Sequence, residues 1–151
     1  LQSEYFNREV ASKDNTGYKI LELNEIVLSP QNLWLGNINL NEKYTIGIVS
    51  PSYKIFKIKE DECLVRFVKY FIKSERMLYE YKQASEQGAS VVRRNLDLSS
   101  FNQIEVILPS IKEQSIIVKY LSALDNKINK TYTLLEQTQQ FKKGLLQQMF
   151  V

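Results

Sequence analysis

Ile104-Glu-Val-Ile-Leu-Pro-Ser-Ile-Lys-Glu-Gln-Ser-Ile-Ile-Val-Lys-Tyr-Leu-Ser-Ala-Leu-Asp-Asn-Lys-Ile128 decides the architecture of this chain. Ile104, Val106 and Leu108 alternate with a period of two, which predicts a short strand. Pro109 ends it, because proline has no N–H to give to a sheet ladder. Ser110 followed by Glu113 is a capping box: the hydroxyl accepts from a first-turn N–H and the carboxylate reaches back to the Ser110 N–H. No later proline interrupts the helix, and Gly144 is the one glycine beyond it, so the helix is expected to reach about Met149. About 40 residues at about 1.5 Å each make a rod of about 60 Å. That is longer than a head of about 110 residues is wide, so part of the rod must project or find a partner.

The seam of the rod can be read directly. Ile117, Leu121, Leu124, Ile128, Thr131, Leu135, Thr138, Lys142, Leu145 and Met149 are spaced alternately by four and three. This is an a/d heptad ladder, the pattern of a coiled coil. Thr131, Thr138 and Lys142 are its polar positions, which weaken a seam but help to fix register and orientation. The alternative is one amphipathic helix lying on its own head. The length and the outer face rich in Gln, Lys and Asn argue against it.

Outward from the rod, 151 residues allow one domain besides it. The expected fold class is α+β: a globular head with a small mixed β-sheet over residues 1–109, then a long C-terminal coiled-coil helix over 110–151. Apolar residues at 44% and charged residues at 25% fit an ordinary soluble protein. No run approaches the roughly 18 apolar residues of a membrane span, and no signal-peptide pattern opens the sequence. The one cysteine, Cys63, excludes an internal disulfide and suggests a reducing, cytoplasmic setting. It reads as a small buried apolar residue. The first residue is Leu1, not Met, so the chain is expected to be a fragment of something longer.

The net charge of +3 invites a nucleic-acid reading, and its distribution corrects it. Up to Pro109 there are 14 basic and 14 acidic residues; from Ser110 there are 6 lysines and 3 acids. The whole excess lies on the rod. Bulk charge therefore says nothing of DNA binding by the head, which would need its cations gathered on one face.

The head reads as mixed α and β. Tyr18–Leu23 and Glu25–Leu28 are expected strands around a turn at Asn24, and Ser29–Asn32 is a loop. Leu33–Gly36 is short and apolar. Thr45–Ser50 and Tyr53–Lys59 read as two strands around the tight connection Pro51-Ser52. Asp61 or Glu60 is placed to cap a helix reaching about Tyr81, with Leu64, Phe67, Val68, Phe71 and Ile72 as its buried stripe. Ser85–Gly88 reads as a polar loop. Val91–Arg94 then leads through Leu96–Phe101 into the expected final strand.

Little chemistry is available. No histidine is present, which removes His-based triads and most zinc sites. One cysteine cannot build a thiolate metal site, and five glycines form no phosphate loop or dinucleotide fingerprint. The one Glu-x-Lys, Glu80-Tyr81-Lys82, falls on an expected helix and reads as a solvated face rather than a nuclease site. Ser50-Pro51-Ser52-Tyr53 resembles the catalytic tetrapeptide of amino-methyltransferases but lacks the initial Asn or Asp that would hold the target amine. The chain is expected to catalyse nothing by itself.

Leu108-Pro109-Ser110-Ile111-Lys112-Glu113-Gln114, Ile117, Leu121-Ser-Ala-Leu-Asp125, Ile128, Leu134-Leu135 and Phe141-Lys-Lys-Gly-Leu-Leu-Gln-Gln-Met-Phe150 resemble, in order, the C-terminal conserved region of type I restriction–modification specificity subunits. Glu25–Leu28 and the Gly88–Phe101 segment resemble that family's target recognition domain. The resemblance covers the whole chain, with most of its weight after residue 86. It implies a non-catalytic subunit that recognises double-stranded DNA. Two recognition domains, separated by two antiparallel helices, each read one half of a split site. The helices serve as spacer and as dock for modification subunits. S-adenosylmethionine, ATP and Mg would be held by the modification and restriction subunits, with no cofactor or metal on this chain. This chain has one head and one helix, so it resembles the C-terminal half. It is expected to pair with a second half-subunit or with itself through Ile117, Leu121, Leu124, Ile128, Leu135, Leu145 and Met149.

Base reading needs bidentate donors and acceptors on loops. Gln31, Asn32, Lys43, Tyr44, Gln87, Arg93 and Arg94 are the candidates, with a solvated loop residue as the alternative for each. Trp34 reads as core rather than as a stacking residue. A coiled-coil adaptor whose head binds protein is the competing function. An independent nuclease or methyltransferase lacks its motifs.

Overall fold

The computed structural model describes residues 15–87 and 94–150. By its internal contacts the chain divides into two compact units, Leu1–Ile107 and Leu108–Val151. Small antiparallel sheets with short helices, followed by a long helix, make the fold α+β.

Within the first unit the strands are β1 (Lys19–Glu22), β2 (Ile26–Leu28), β3 (Ile38–Leu40), β4 (Ile46–Val49), β5 (Lys54–Phe56), β6 (Ser85–Gln87) and β7 (Arg94–Leu96). Every pairing among the described residues is antiparallel: β1 with β4, β2 between β3 and β5, and β6 with β7. Neighbours in sequence are thus not always partners. Asn24 takes a left-handed conformation at φ 65°, tolerable for its short polar side chain. It turns the chain out of β1 and into a different sheet. The connection Pro51-Ser52 does the same between β4 and β5, so neither expected strand pair forms a hairpin. Strand β3 was not anticipated from the sequence, because Ile38-Asn39-Leu40 is too short to show a period.

Among the described residues the α-helices are α1 (Val65–Phe71) and α2 (Glu75–Gln83), which precede β6, and α3 (Leu98–Asn102) and α4 (Ile111–Met149), which follow β7. The single helix expected to reach Tyr81 is two. Ser74 is extended, at ψ 152°, and its hydroxyl accepts from the Met77 N–H at 3.4 Å. A serine that caps a new helix competes with continuation of the old one. Nor do Asp61 or Glu60 cap α1: the N-cap is Leu64, without a side-chain cap. Ser85–Gln87, expected as loop, pairs with β7. The expected strand over 104–108 is absent. Val106 and Ile107 are both exposed, the latter by 80%, so the alternation marks no buried face. No described strand pairs with the segment, and its first N–H, on Ile104, bonds back to the Phe101 carbonyl at 3.2 Å.

The stripe of α1 is confirmed in part. Phe67, Val68 and Ile72 are buried, with Leu21, Leu28, Leu33, Ile38, Met77 and Tyr81 in the same core, whereas Leu64 and Phe71 are half-buried. Burial of about 1.5–3 kcal/mol per large apolar side chain is what closes the small sheets into a head. The 3-10 turn Leu33–Leu35 ends on Gly36 at φ 80°, where a Cβ would meet the Leu78 side chain at 3.1 Å. Only glycine takes both that backbone and that approach without strain. Tyr81 donates its hydroxyl to the Ile72 carbonyl at 3.2 Å, and burial pushes its pKa well above the ordinary phenol value. Its ring packs on Phe101, which packs in turn on Phe56.

In the second unit, α4 begins at the expected capping box. Glu113 N–H donates to Ser110 Oγ at 3.4 Å, and Ser110 N–H donates to Glu113 Oε2 at 2.9 Å. The Gln114 amide donates to the Pro109 carbonyl at 2.8 Å. The helix runs 39 residues, about 58 Å at 1.5 Å per residue.

Candidate nucleic-acid interface

The candidate loops lie at the two ends of one strand pair. Leu28 pairs with Ile38 at one end of β2–β3, and Ile26 pairs with Leu40 at the other. Gln31 and Asn32 belong to the connection beyond the first end; Lys43 and Tyr44 follow the second. The structure does not bring these two pairs together.

At the first end, Gln31 is exposed and Asn32 half-buried. The Asn32 carbonyl accepts from the N–H groups of Leu35 and Asn37 at 3.1 and 3.2 Å, which folds the connection tightly. The neighbouring Pro30 carbonyl accepts from Leu96 N–H at 3.1 Å, so this connection lies beside β7. Gln87 and Arg94 are partners in the β6–β7 ladder. The Arg94 guanidinium donates to the Ser85 carbonyl at 2.7 Å and to the Lys82 carbonyl at 3.4 Å. Those contacts tie β7 to the end of α2. Arg93 lies outside the described residues. Trp34 is half-buried, and its Nε1 is buried without a partner among the described residues.

At the second end, Asn41 is buried and organises the connection 41–45. Its amide nitrogen donates to the carbonyls of Glu22 at 2.9 Å and Tyr44 at 2.7 Å. Its amide oxygen accepts from Lys43 and Tyr44 N–H at 3.4 and 3.1 Å. All four hydrogen-bonding positions of the side chain are used. The Asn41 backbone adds bonds to Asn24 and Glu25. Glu25 is itself buried, accepting from Glu22 N–H at 2.7 Å and lying 3.8 Å from Lys57 Nζ. This knot of short bonds displays Lys43 and Tyr44 at the surface, with Lys43 Nζ 5.5 Å from the Tyr44 ring centroid.

Beside that connection stands a row of cations that the sequence reading did not single out. Arg66 and Lys69 are exposed on the side of α1 opposite its buried stripe, and exposed Lys73 follows two residues past the helix end. Lys69 Nζ is 3.3 Å from the Glu42 carboxylate, and Lys73 Nζ donates to Asn39 Oδ1 at 2.7 Å. The polar complement of the Phe67–Ile72 stripe was the available signal; nothing in sequence could say that β3 lies next to it.

The long helix offers a different surface. Leu124, Ile128, Leu135, Leu145 and Met149 are exposed by 41% to 71%, and Ile117 and Leu121 are half-buried. Tyr132, Leu134, Phe141 and Leu146 flank that ladder on both sides and are exposed as well. The hydroxyls of Thr131 and Thr138 donate to the carbonyls of Lys127 and Leu134 at 2.9 and 2.8 Å. Among the described residues no cluster of three carboxylates or thiols could hold a metal ion, and no helix is long and apolar enough to cross a membrane.

The described residues thus give an α+β head with ordered loops, joined in sequence to a long helix with exposed apolar residues. The chain belongs to the family of type I restriction modification DNA specificity domains, which it matches over residues 4–139. It is also similar to the type I restriction enzyme MjaVIII specificity subunit of Methanocaldococcus jannaschii. The two are 27% identical over 153 residues, covering 99% of this chain and 34% of that protein. The chain thus spans about a third of the length of that relative.

Proposed function

We propose that this chain is a sequence-specific DNA recognition subunit of a type I restriction–modification complex. It reads one half of a split duplex target through its head and docks a methyltransferase subunit through α4. It performs no chemistry itself; S-adenosylmethionine, ATP and Mg belong to the modification and restriction subunits. Family membership supplies the DNA, and the uncovered apolar face of α4 carries the docking.

The width of that face is informative. A two-stranded coiled coil covers chiefly the a and d positions. Here Tyr132 and Leu146 on one flank, and Leu134 and Phe141 on the other, extend the apolar surface beyond that stripe. One partner helix leaves them in water, whereas helices from more than one partner would cover them. This supports both a second half-subunit, or a second copy, along the seam and a modification subunit along the flanks.

The test is reconstitution. The chain is mixed with the modification subunit of a type I system from the same source, and methylated adenines are mapped on a random duplex library. A single recurring split motif is the expected result. Assembly without any sequence preference would instead favour a coiled-coil adaptor whose head binds protein, a reading the neutral head also permits.

A further inference from the structure

We propose that the row of Arg66 and Lys69 on α1 and Lys73 just past its end, continued by Lys43 beside Tyr44, is a track for the phosphate backbone of duplex DNA. This rests on the DNA-recognition reading above and gives it a surface.

The head carries no net charge up to Pro109, so any DNA-facing side has to be made by sorting its charges. The fold does this on α1. Phe67, Val68 and Ile72 are buried, which fixes the rotation of the helix and holds Arg66, Lys69 and Lys73 outward. Two cross-links, Lys69 to Glu42 and Lys73 to Asn39, register the row against the connection that carries Lys43. Within α1 the step from Arg66 to Lys69 rises about 4.5 Å at 1.5 Å per residue, and Lys73 follows two residues past the helix end.

The chemistry favours backbone over base edges. Three of the four cations are lysines, which act on phosphate as mobile point charges, whereas base reading prefers rigid bidentate groups. The one acid in the row, Glu42, pairs with Lys69 at the surface, where both side chains are about two-fifths exposed. Such a pair contributes little and is readily exchanged for a phosphate. Asn41 has already ordered the connection, so Lys43 and Tyr44 bind without the loop-ordering cost that a mobile segment would carry. Phosphate contacts of this kind set orientation and register and leave sequence reading to other loops.

The test uses the full chain and a labelled mixed-sequence duplex of about 30 base pairs, titrated at several salt concentrations. The triple variant Arg66→Gln, Lys69→Gln, Lys73→Gln is expected to lower the slope of log affinity against log salt by about 2.7, at about 0.9 per contact. Lys43→Gln alone lowers it by about 0.9, which keeps the test open if the triple variant folds poorly. Lys69→Arg with Lys73→Arg keeps the slope, as retained charge requires. Glu42→Gln tightens binding. The control Lys59→Gln, at an exposed lysine outside the row, leaves the slope unchanged. A duplex-binding wild type whose slope falls no further in the triple variant than in the control overturns the track and leaves the DNA-recognition reading standing. A wild-type chain that binds no duplex at any salt overturns both.

Discussion

The head and the long helix solve opposite problems. The head buries its apolar residues: Leu28, Leu33 and Tyr81 are 1%, 0% and 2% exposed. The helix keeps its apolar residues outside, from Leu124 to Met149. An isolated helix gains little from its own backbone beyond good capping and propensity. Contacts within the head account for its core, whereas the apolar rungs of the α4 seam from Leu124 to Met149 are exposed. A coiled-coil ladder that meets nothing in its own unit is an apolar surface left open.

The contrast can be broken first at the helix. Ile128→Ala with Leu135→Ala is expected to weaken helix-mediated pairing by about 2–5 kcal/mol per site once these residues are covered. Sedimentation equilibrium at micromolar concentration reads this as conversion to monomer, with thermal unfolding of the head unmoved. A wild-type mass already equal to the monomer would remove self-pairing and leave the partner subunit as the sole cover.

The second comparison places the same kind of change in each unit. Leu28→Ala is expected to cost the head about 2–5 kcal/mol. Leu124→Ala in the monomeric chain leaves head stability within about 0.5 kcal/mol. Equal losses would mean that the two units share a core. Smaller still, Tyr81→Phe leaves the Ile72 carbonyl without its donor and costs about 1 kcal/mol, read from denaturant midpoints.

The smallest effect sits at the start of α4. Hydrogen bonds from the Ser110 hydroxyl and N–H hold the Glu113 carboxyl below its usual range, and Asp97 is lowered likewise by Ser100 at the start of α3. A carboxylate with a depressed folded pKa stabilises fully above its unfolded pKa, and the contribution is lost as pH falls through the folded one. Helicity of α4 should therefore decline on acidification through the carboxylate range. Ser110→Ala should lower helicity near neutral pH and flatten that decline, as followed by circular dichroism.

What could be read in advance follows the range of the forces. The capping box, the ladder and the stripe of α1 are local patterns with a strong period, and each stands where the sequence puts it. Strands β1, β2, β4 and β5 were legible as segments, but their partners were not. Asn24 and Pro51-Ser52 look like hairpin turns and instead hand the chain from one sheet to another. Ile104–Leu108 shows the converse failure, a strand period with no ladder to join. Ser74 hid inside an apolar pattern because a helix break and a polar helix position are both written with serine. Of the candidate loop residues, Lys43 and Tyr44 stand on an ordered connection, while one guanidinium nitrogen of Arg94 is held by the Lys82 and Ser85 carbonyls. The cationic row needed the packing of α1 against β3, a long-range fact that no window of sequence contains.

Thr131 and Thr138 have a further consequence. Counted by polarity, they interrupt the ladder five and three steps before its end. Counted by unmet demand, they do not, because each hydroxyl already donates to a carbonyl of its own helix. Neither asks a partner for an acceptor, and each can enter a dry contact without desolvating an unpaired donor. In the proposed pairing through α4, selectivity narrows to Lys142, the one charged rung of the ladder. A partner helix that meets it with a carboxylate, or leaves it open to water, is expected to be favoured over one that brings a second cation there.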